Sequence, residues 1–113
     1  MWLPVELPLD LREAGIPLES SESGLAWSSG VALAIVDALR NSTVAIVSCG
    51  VFRSDRVGLV PLYTGWSVER HMDEAASDFA ARSRKVAKEK IEAQTRSGAQ
   101  FFAMAFSGQQ DAA

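Results

Sequence analysis

Residues 44 to 52 read Val-Ala-Ile-Val-Ser-Cys-Gly-Val-Phe and form the most β-branched and apolar stretch of the chain. This run is too short for an independent buried helix, so we interpret it as a central strand. Apolar side chains occupy both sets of alternating positions, which is typical of a strand that is covered on each side. The covering helices and strands must therefore come from the flanking sequence.

The sequence after this strand predicts a return strand. Arg53-Ser54-Asp55-Arg56 is a charged turn, and Val57 to Tyr63 is a second strand candidate that returns antiparallel to the first. Pro61 has no backbone N–H group to donate, which predicts that this arm lies at an edge of the sheet. Residues 63 to 66, Tyr-Thr-Gly-Trp, then predict an irregular or short-strand segment.

Two short helices are predicted before the central strand. Asp10 is a candidate N-cap for a single turn over Leu11 to Ala14. Ser28 or Ser29 is a candidate N-cap for a helix from about Gly30 to Arg40, whose broad apolar surface requires burial. Between these helices, the polar residues 19–24 predict a loop.

A long helix and a last strand complete the predicted elements. From Met72 to about Thr95 there is neither Gly nor Pro, and apolar residues recur at spacings of three and four, with Ser67 or Asp73 as candidates for the helix start. Ala99 to Phe106 predicts a final strand that is buried on both faces. Residues 108–113 predict a frayed tail.

These elements predict one α+β domain spanning residues 1–113. We expect a small mixed, mainly antiparallel sheet of three to four strands, packed with a long C-terminal helix and a shorter N-terminal helix. The composition, 48% hydrophobic and 22% charged, is that of a globular protein. The apolar runs are no longer than strands and the N-terminus lacks a basic leader, so we expect a cytoplasmic protein that does not bind a membrane.

The net charge of −3 is unevenly distributed along the chain. Residues 1 to 50 contain six acidic residues and two arginines, whereas residues 51 to 113 contain eight acidic and nine basic residues. The acidic first half argues against binding to a nucleic acid backbone and is compatible with a basic protein partner.

The sequence offers weak candidates for catalysis and metal binding. His71 lies in a run of charged residues, but the chain has no other His and one Cys, so we expect neither a metal site nor a cofactor. Because Cys49 is the only cysteine, no intrachain disulfide can form, and its position in a β-branched strand favours a packing role. The alternative is that Cys49 and His71 form a nucleophile and base pair in a cleft.

Five local stretches of the sequence stand out: Leu-Arg-Glu-Ala-Gly-Ile from Leu11, the helix stretch Ala32–Leu39, Cys-Gly-Val-Phe from Cys49, the residues Tyr63 to Trp66, and Arg82-Ser83. Together with the order of the predicted elements, these stretches resemble the bacterial immunity protein 40 family of polymorphic toxin systems. The resemblance covers roughly residues 11 to 106. It implies that the protein neutralises a cognate toxin domain by direct binding, without catalysis.

The sequence departs from the family pattern at two places. Ser48-Cys49-Gly50-Val51 stands where members have a Gly-Gly-Asp-Val word, and Thr64-Gly65 precedes Trp66 where an acidic or amide residue is expected. Any role of the missing acidic residue in the family therefore does not carry over to this chain.

An acidic and aromatic surface is our leading hypothesis for the toxin-binding site. We expect the partner-binding residues to be Trp27, Trp66, Glu69 and Asp73, because large aromatics anchor interfaces and acidic residues at the rim speed encounter with a basic partner. Trp66 has an alternative role as a core residue that holds its loop against the long helix. The alternative functions are a small enzyme or ligand-binding domain, or a structural assembly module.

Overall fold

Three helices and six strands make up the described part of the computed structural model, residues 3–18 and 24–107. Most of the predicted polar loop and the predicted frayed tail lie outside these residues. In chain order the elements are α1 (Leu9–Glu13), β1 (Ile16–Pro17), β2 (Leu25–Ser28), α2 (Ser29–Ala38), β3 (Ile46–Ser54), β4 (Leu59–Pro61), β5 (Trp66–Ser67), α3 (Ala76–Arg96) and β6 (Phe101–Phe106).

The six strands form one curled sheet in which every pair is antiparallel. The order is β1-β2-β6-β3-β4, and β5 also pairs with β3. β3 is central, as predicted, and pairs with β6 from Ile46 opposite Phe106 to Phe52 opposite Phe101. The predicted α+β class and long C-terminal helix are confirmed, whereas the sheet has more strands than expected.

The predicted hairpin after the central strand is confirmed. β3 and β4 are joined by a turn in which the Asp55 carboxylate accepts hydrogen bonds from the backbone N–H groups of Val57 and Gly58, at 2.8 and 3.0 Å. β4 ends the strand order, so Pro61 lies on an edge strand as expected. The turn fixes where the chain begins its return along β3.

The main core lies between the sheet and the helices. α2 packs on α3, and both helices pack on the sheet. Cys49 and Val51 of β3 belong to this core. Other large buried members are Trp27, Ile35, Leu39, Ile91, Phe102, Met104 and Phe106.

Helices α1, α2 and α3 contribute to the main core, and Phe79 and Ala80 of α3 also form a second, smaller cluster with Ala45, against which Val47 of β3 and Val68 pack. The other face of β3 is turned away from the main core. Ser48, Gly50 and Phe52 alternate on this face and are half-buried. A Cβ atom on Gly50 would lie 3.2 Å from the Phe52 ring, so that ring packs over the glycine. Small residues and one aromatic ring therefore line this face of β3.

The helix starts differ from several predicted caps. α1 begins at Leu9 after Pro8, so Asp10 lies inside the first turn and does not cap it. Ser28 occupies the N-cap position of α2, as predicted, but makes no side-chain capping hydrogen bond. α3 begins at Ala76 with Ala75 as its N-cap, so neither Ser67 nor Asp73 begins it.

Candidate functional site

The chain between β4 and α3 follows the free edge of β3 and carries most of the predicted site residues. We call residues 62–75 the edge segment. The Leu62 N–H donates to the Val51 carbonyl at 2.9 Å, and the Val68 N–H donates to the Val47 carbonyl at 2.9 Å. Between these bonds, β5 pairs with β3, with Trp66 opposite Cys49. The edge segment is thus attached to the sheet by its backbone at both ends of this stretch.

Residues 63–65 leave the sheet edge between the two attachments. Tyr63 has a φ of 57° and a side chain that is 91% exposed. A non-glycine residue in this left-handed conformation costs roughly 1–2 kcal/mol, so the surrounding chain must impose it. At Gly65 the backbone lies so close to β3 that a Cβ atom would be 2.5 Å from the Cys49 carbonyl oxygen. Gly65 therefore permits the close return that raises Tyr63 away from the sheet.

Trp66 is only half-buried, although it packs against the main core. Its indole Nε1 is buried and has no hydrogen-bond partner among the described residues. A buried donor without a partner usually costs about 1–3 kcal/mol. Trp66 thus combines the two roles that the sequence left open, because it contacts the core and also leaves part of its surface exposed.

Arg82 of α3 holds the later part of the edge segment against the helix. Its guanidinium donates to both carboxylate oxygens of Glu74, at 2.8 and 2.9 Å, and to the Glu69 carbonyl at 2.6 Å. It also lies 5.4 Å from the centre of the Phe79 ring. We call this arrangement the Arg82–Glu74 latch. It explains why α3 begins later than predicted, since residues 69–74 are held outside the helix.

Two further bonds complete the latch. The His71 N–H donates to the Glu74 carboxylate at 3.0 Å, and Arg70 donates to the Glu74 carbonyl at 2.7 Å. The hydrogen bonds from Arg82 and then from His71 lower the pKa of Glu74 to about 2, and the bond to Glu74 raises the pKa of Arg82. Glu74 is therefore a fixed negative charge at neutral pH, and its role is to position the segment.

The neighbour of Arg82 connects the same turn of α3 to the central strand. The buried Ser83 hydroxyl donates to the Ala80 carbonyl at 2.8 Å and accepts a hydrogen bond from the Ile46 N–H at 3.0 Å. Arg82 and Ser83, which are adjacent in the sequence, thus attach the edge segment and β3 to the same turn of α3.

The structure places three of the four predicted partner-binding residues on the edge segment. Glu69 and Asp73 are exposed, and Trp66 is partly exposed. Trp27 is fully buried in β2, where its indole N–H donates to the Leu11 carbonyl at 2.9 Å. The expectation that Trp27 lies on the surface is wrong, because β2 turns its ring into the core, edge-on to a phenylalanine 6.3 Å away.

Sequence reasoning missed two exposed side chains on the edge segment. Tyr63 is 91% exposed and Met72 is 98% exposed, and both are large enough to anchor an interface. The only sequence signal that Tyr63 belongs to the site was its position in the stretch Tyr63 to Trp66, which resembles the family. Met72 was read as the start of the long helix, so its exposure was not expected.

The lone thiol and the lone imidazole lie in different surroundings. Cys49 is buried in the main core, and burial raises the pKa of its thiol, so it stays protonated and weakly nucleophilic. His71 is exposed on the edge segment. Residues 3–18 and 24–107 contain no group of three or more His, Cys, Asp or Glu side chains that could hold a metal ion. Within the same ranges, no helix is long and apolar enough to cross a membrane.

The fold and the edge segment define a small α+β protein whose distinctive surface consists of exposed aromatic, apolar and acidic side chains. The sequence model of the immunity protein 40 family matches residues 10–106, which is most of the chain. The protein therefore belongs to the immunity protein 40 family, as the resemblance implied. No curated protein matches the sequence.

Proposed function

We propose that this protein neutralises a cognate toxin domain by binding it through the edge segment and blocking access of substrate to the toxin. Membership of an immunity protein family supports a toxin as the partner. The edge segment is chosen as the binding surface because Tyr63 is an exposed aromatic residue in a strained backbone conformation. Such conformations cluster at binding sites, where the surrounding chain maintains them.

The contacts of the edge segment suit it to a binding role. An interface of standard size covers about 800 Å² on each partner, and a few central aromatic anchors supply most of its energy. Tyr63, Met72 and the exposed part of Trp66 are the proposed anchors. The Arg82–Glu74 latch holds residues 69–74 before binding, so less conformational entropy is lost when the partner docks.

The proposed partner surface is basic. The carboxylates of Glu69 and Asp73 are exposed, and the latch uses only the backbone carbonyl of Glu69, so both side chains remain available. Acidic groups at a rim increase the association rate with a positively charged partner more than they increase affinity. Binding is the proposed activity, and it requires no catalytic step by this chain.

Replacing Tyr63 by glycine separates the binding role of this residue from its effect on folding. Tyr63→Gly removes the proposed anchor, and we expect it to weaken toxin binding by about 2 kcal/mol. Its free energy of unfolding should stay unchanged or rise by up to about 1 kcal/mol, because glycine tolerates a φ of 57°. Calorimetric titration with the cognate toxin domain measures the first effect, and urea denaturation measures the second.

Val57→Gly is the matched control, because Val57 is 96% exposed in the hairpin turn, outside the edge segment. This variant should bind the toxin domain like the wild type.

Co-expression of the wild-type protein should also rescue growth of cells that produce the toxin. Absence of both complex and rescue would contradict toxin neutralisation, whereas full affinity of Tyr63→Gly would contradict the edge segment as the site.

A further inference from the structure

A groove of about 370 Å³ lies between α2 and α3 and does not involve the edge segment. Its apolar lining comes from Leu33 and Val36 of α2, of which Val36 is itself buried in the main core. Leu33 is only half-buried, although it packs against the main core. The groove therefore presents an aliphatic surface between two helices that are otherwise closely packed.

Positive charge surrounds this apolar lining. Arg40 follows the end of α2, and Arg84, Lys85 and Lys88 come from α3, where their spacing places them on neighbouring turns of one side. The single carboxylate of the lining, Asp37, already accepts a hydrogen bond from Arg40 at 2.8 Å. The lining thus carries four cationic groups and one carboxylate, a formal charge of +3.

Arg84 is held at the wall of the groove by neutral acceptors. Its guanidinium donates to the carbonyls of Arg40 and Ser42, at 2.9 and 3.0 Å, beyond the end of α2. In the described part of the chain, no carboxylate forms an ion pair with Arg84, Lys85 or Lys88. Burial lowers the pKa of Arg84, which means that its charge is partly removed from water without a compensating anion.

We propose that this groove binds an acidic protein segment that inserts an apolar side chain between α2 and α3. Carboxylates of the segment would pair with Arg84, Lys85 and Lys88, and the apolar side chain would cover Leu33 and Val36. This groove is a different surface from the edge segment, and its partner is of opposite charge to the proposed toxin surface.

Two other kinds of occupant fit the groove less well. A small inorganic anion would satisfy the cations but leave the aliphatic lining exposed to water. A single-stranded nucleic acid gains much of its affinity by stacking bases on aromatic side chains, and the lining of this groove contains none. It would also bring phosphates close to Asp37. An acidic protein segment meets both the charge and the apolar surface.

The test uses a synthetic peptide probe with the full-length, ¹⁵N-labelled protein. The probe is an acetylated, amidated peptide of four Glu-Glu-Leu repeats, titrated while backbone amide shifts are recorded by NMR. We expect saturable shifts confined to residues 33–40 and 84–88. Reversal of two rim charges, Lys85→Glu with Lys88→Glu, should raise the dissociation constant at least about tenfold, because like charges then face each other.

A second charge reversal provides the matched control. Arg53→Glu with Arg56→Glu changes the net charge by the same amount at exposed positions in and beside the hairpin turn. Its dissociation constant should stay within about twofold of the wild type, since those charges lie outside the groove and are screened by salt. If the lysine double variant loses its folded spectrum, Lys88→Gln alone should still weaken binding about threefold.

Several outcomes would overturn the proposal. They are the absence of saturable binding, equal weakening by both double variants, and equal binding of a peptide in which glutamine replaces glutamate. Tighter binding of a thymidine 12-mer at the same amides would assign the groove to nucleic acid instead. Concentration-dependent self-association that shifts these amides would assign it to a second copy of the chain. The probe contains no toxin, so these results are independent of the proposed function.

Discussion

Two tryptophans, each in a short strand, lie in regions that are held together in different ways. Trp27 is fully buried in β2, and its indole N–H donates to the Leu11 carbonyl. Trp66 is half-buried in β5, and its indole N–H has no partner among the described residues. β2 pairs with β1 and β6 and carries its ring into the core, whereas β5 pairs with β3 and the Arg82–Glu74 latch holds the chain that follows it. The comparison teaches that neighbouring strands, rather than residue type, decide whether a tryptophan belongs to the core.

Trp27→Phe should produce the largest effect on this comparison. The variant removes the hydrogen bond to Leu11 and leaves a small cavity in the core, and we expect a loss of about 2–4 kcal/mol in the free energy of unfolding. Urea denaturation followed by circular dichroism measures it. A loss below about 1 kcal/mol would show that neither the hydrogen bond nor the packing of this indole matters for the fold.

Trp66→Phe should have a smaller effect than the same change at Trp27. The substitution removes a buried N–H that has no partner, and this gain offsets part of the lost packing. We therefore expect the free energy of unfolding to change by less than about 1 kcal/mol in the same urea experiment. An equal loss in the two variants would contradict the comparison and make Trp66 a core residue like Trp27.

The Arg82–Glu74 latch should give the region around Trp66 a pH dependence that the region around Trp27 lacks. Glu74 has a pKa of about 2 in the folded protein, against an ordinary value of 4.5. A lowered carboxyl pKa means that the contribution of the latch is complete above pH 4.5 and is lost as pH falls towards 2. The NMR signal of the Arg82 Nε–H group, which donates to the Glu74 carboxylate, should change with a midpoint near 2.

Glu74→Gln is the control for this titration, because it removes the titrating group while keeping the shape of the side chain. The Arg82 Nε–H signal of the variant should show no transition near pH 2. A wild-type midpoint near 4.5 would mean that Arg82 does not hold the carboxylate in solution.

The long elements could be predicted because their patterns are strong on their own. β3, β6 and α3 each contain a sustained apolar period, and all three were found within a few residues of their observed ends. β1 and β2 have two and four residues, and they exist because neighbouring strands supply their hydrogen bonds. Such short strands carry almost no periodic signal.

The candidate site could be predicted in part. Residue type selected Trp66, Glu69 and Asp73 as site residues, and the structure places all three on the segment before α3. The exposure of Tyr63 could not be predicted, because it depends on a left-handed backbone imposed by the close return at Gly65. The later start of α3 could not be predicted either, since it follows from a contact between Arg82 and Glu74, eight positions apart.

The arrangement along the outer side of β3 has a consequence for how another molecule can dock there. That side of β3 is occupied from Ser54 to Val47 by β4, by residues 63–65 and by β5. No strand of another protein can therefore add to it by main-chain pairing. The outer side of β4 is only three residues long and includes a proline, which cannot donate. A visiting protein at this end of the sheet must therefore be recognised through side chains, so altered specificity can arise from a few substitutions without any change of backbone.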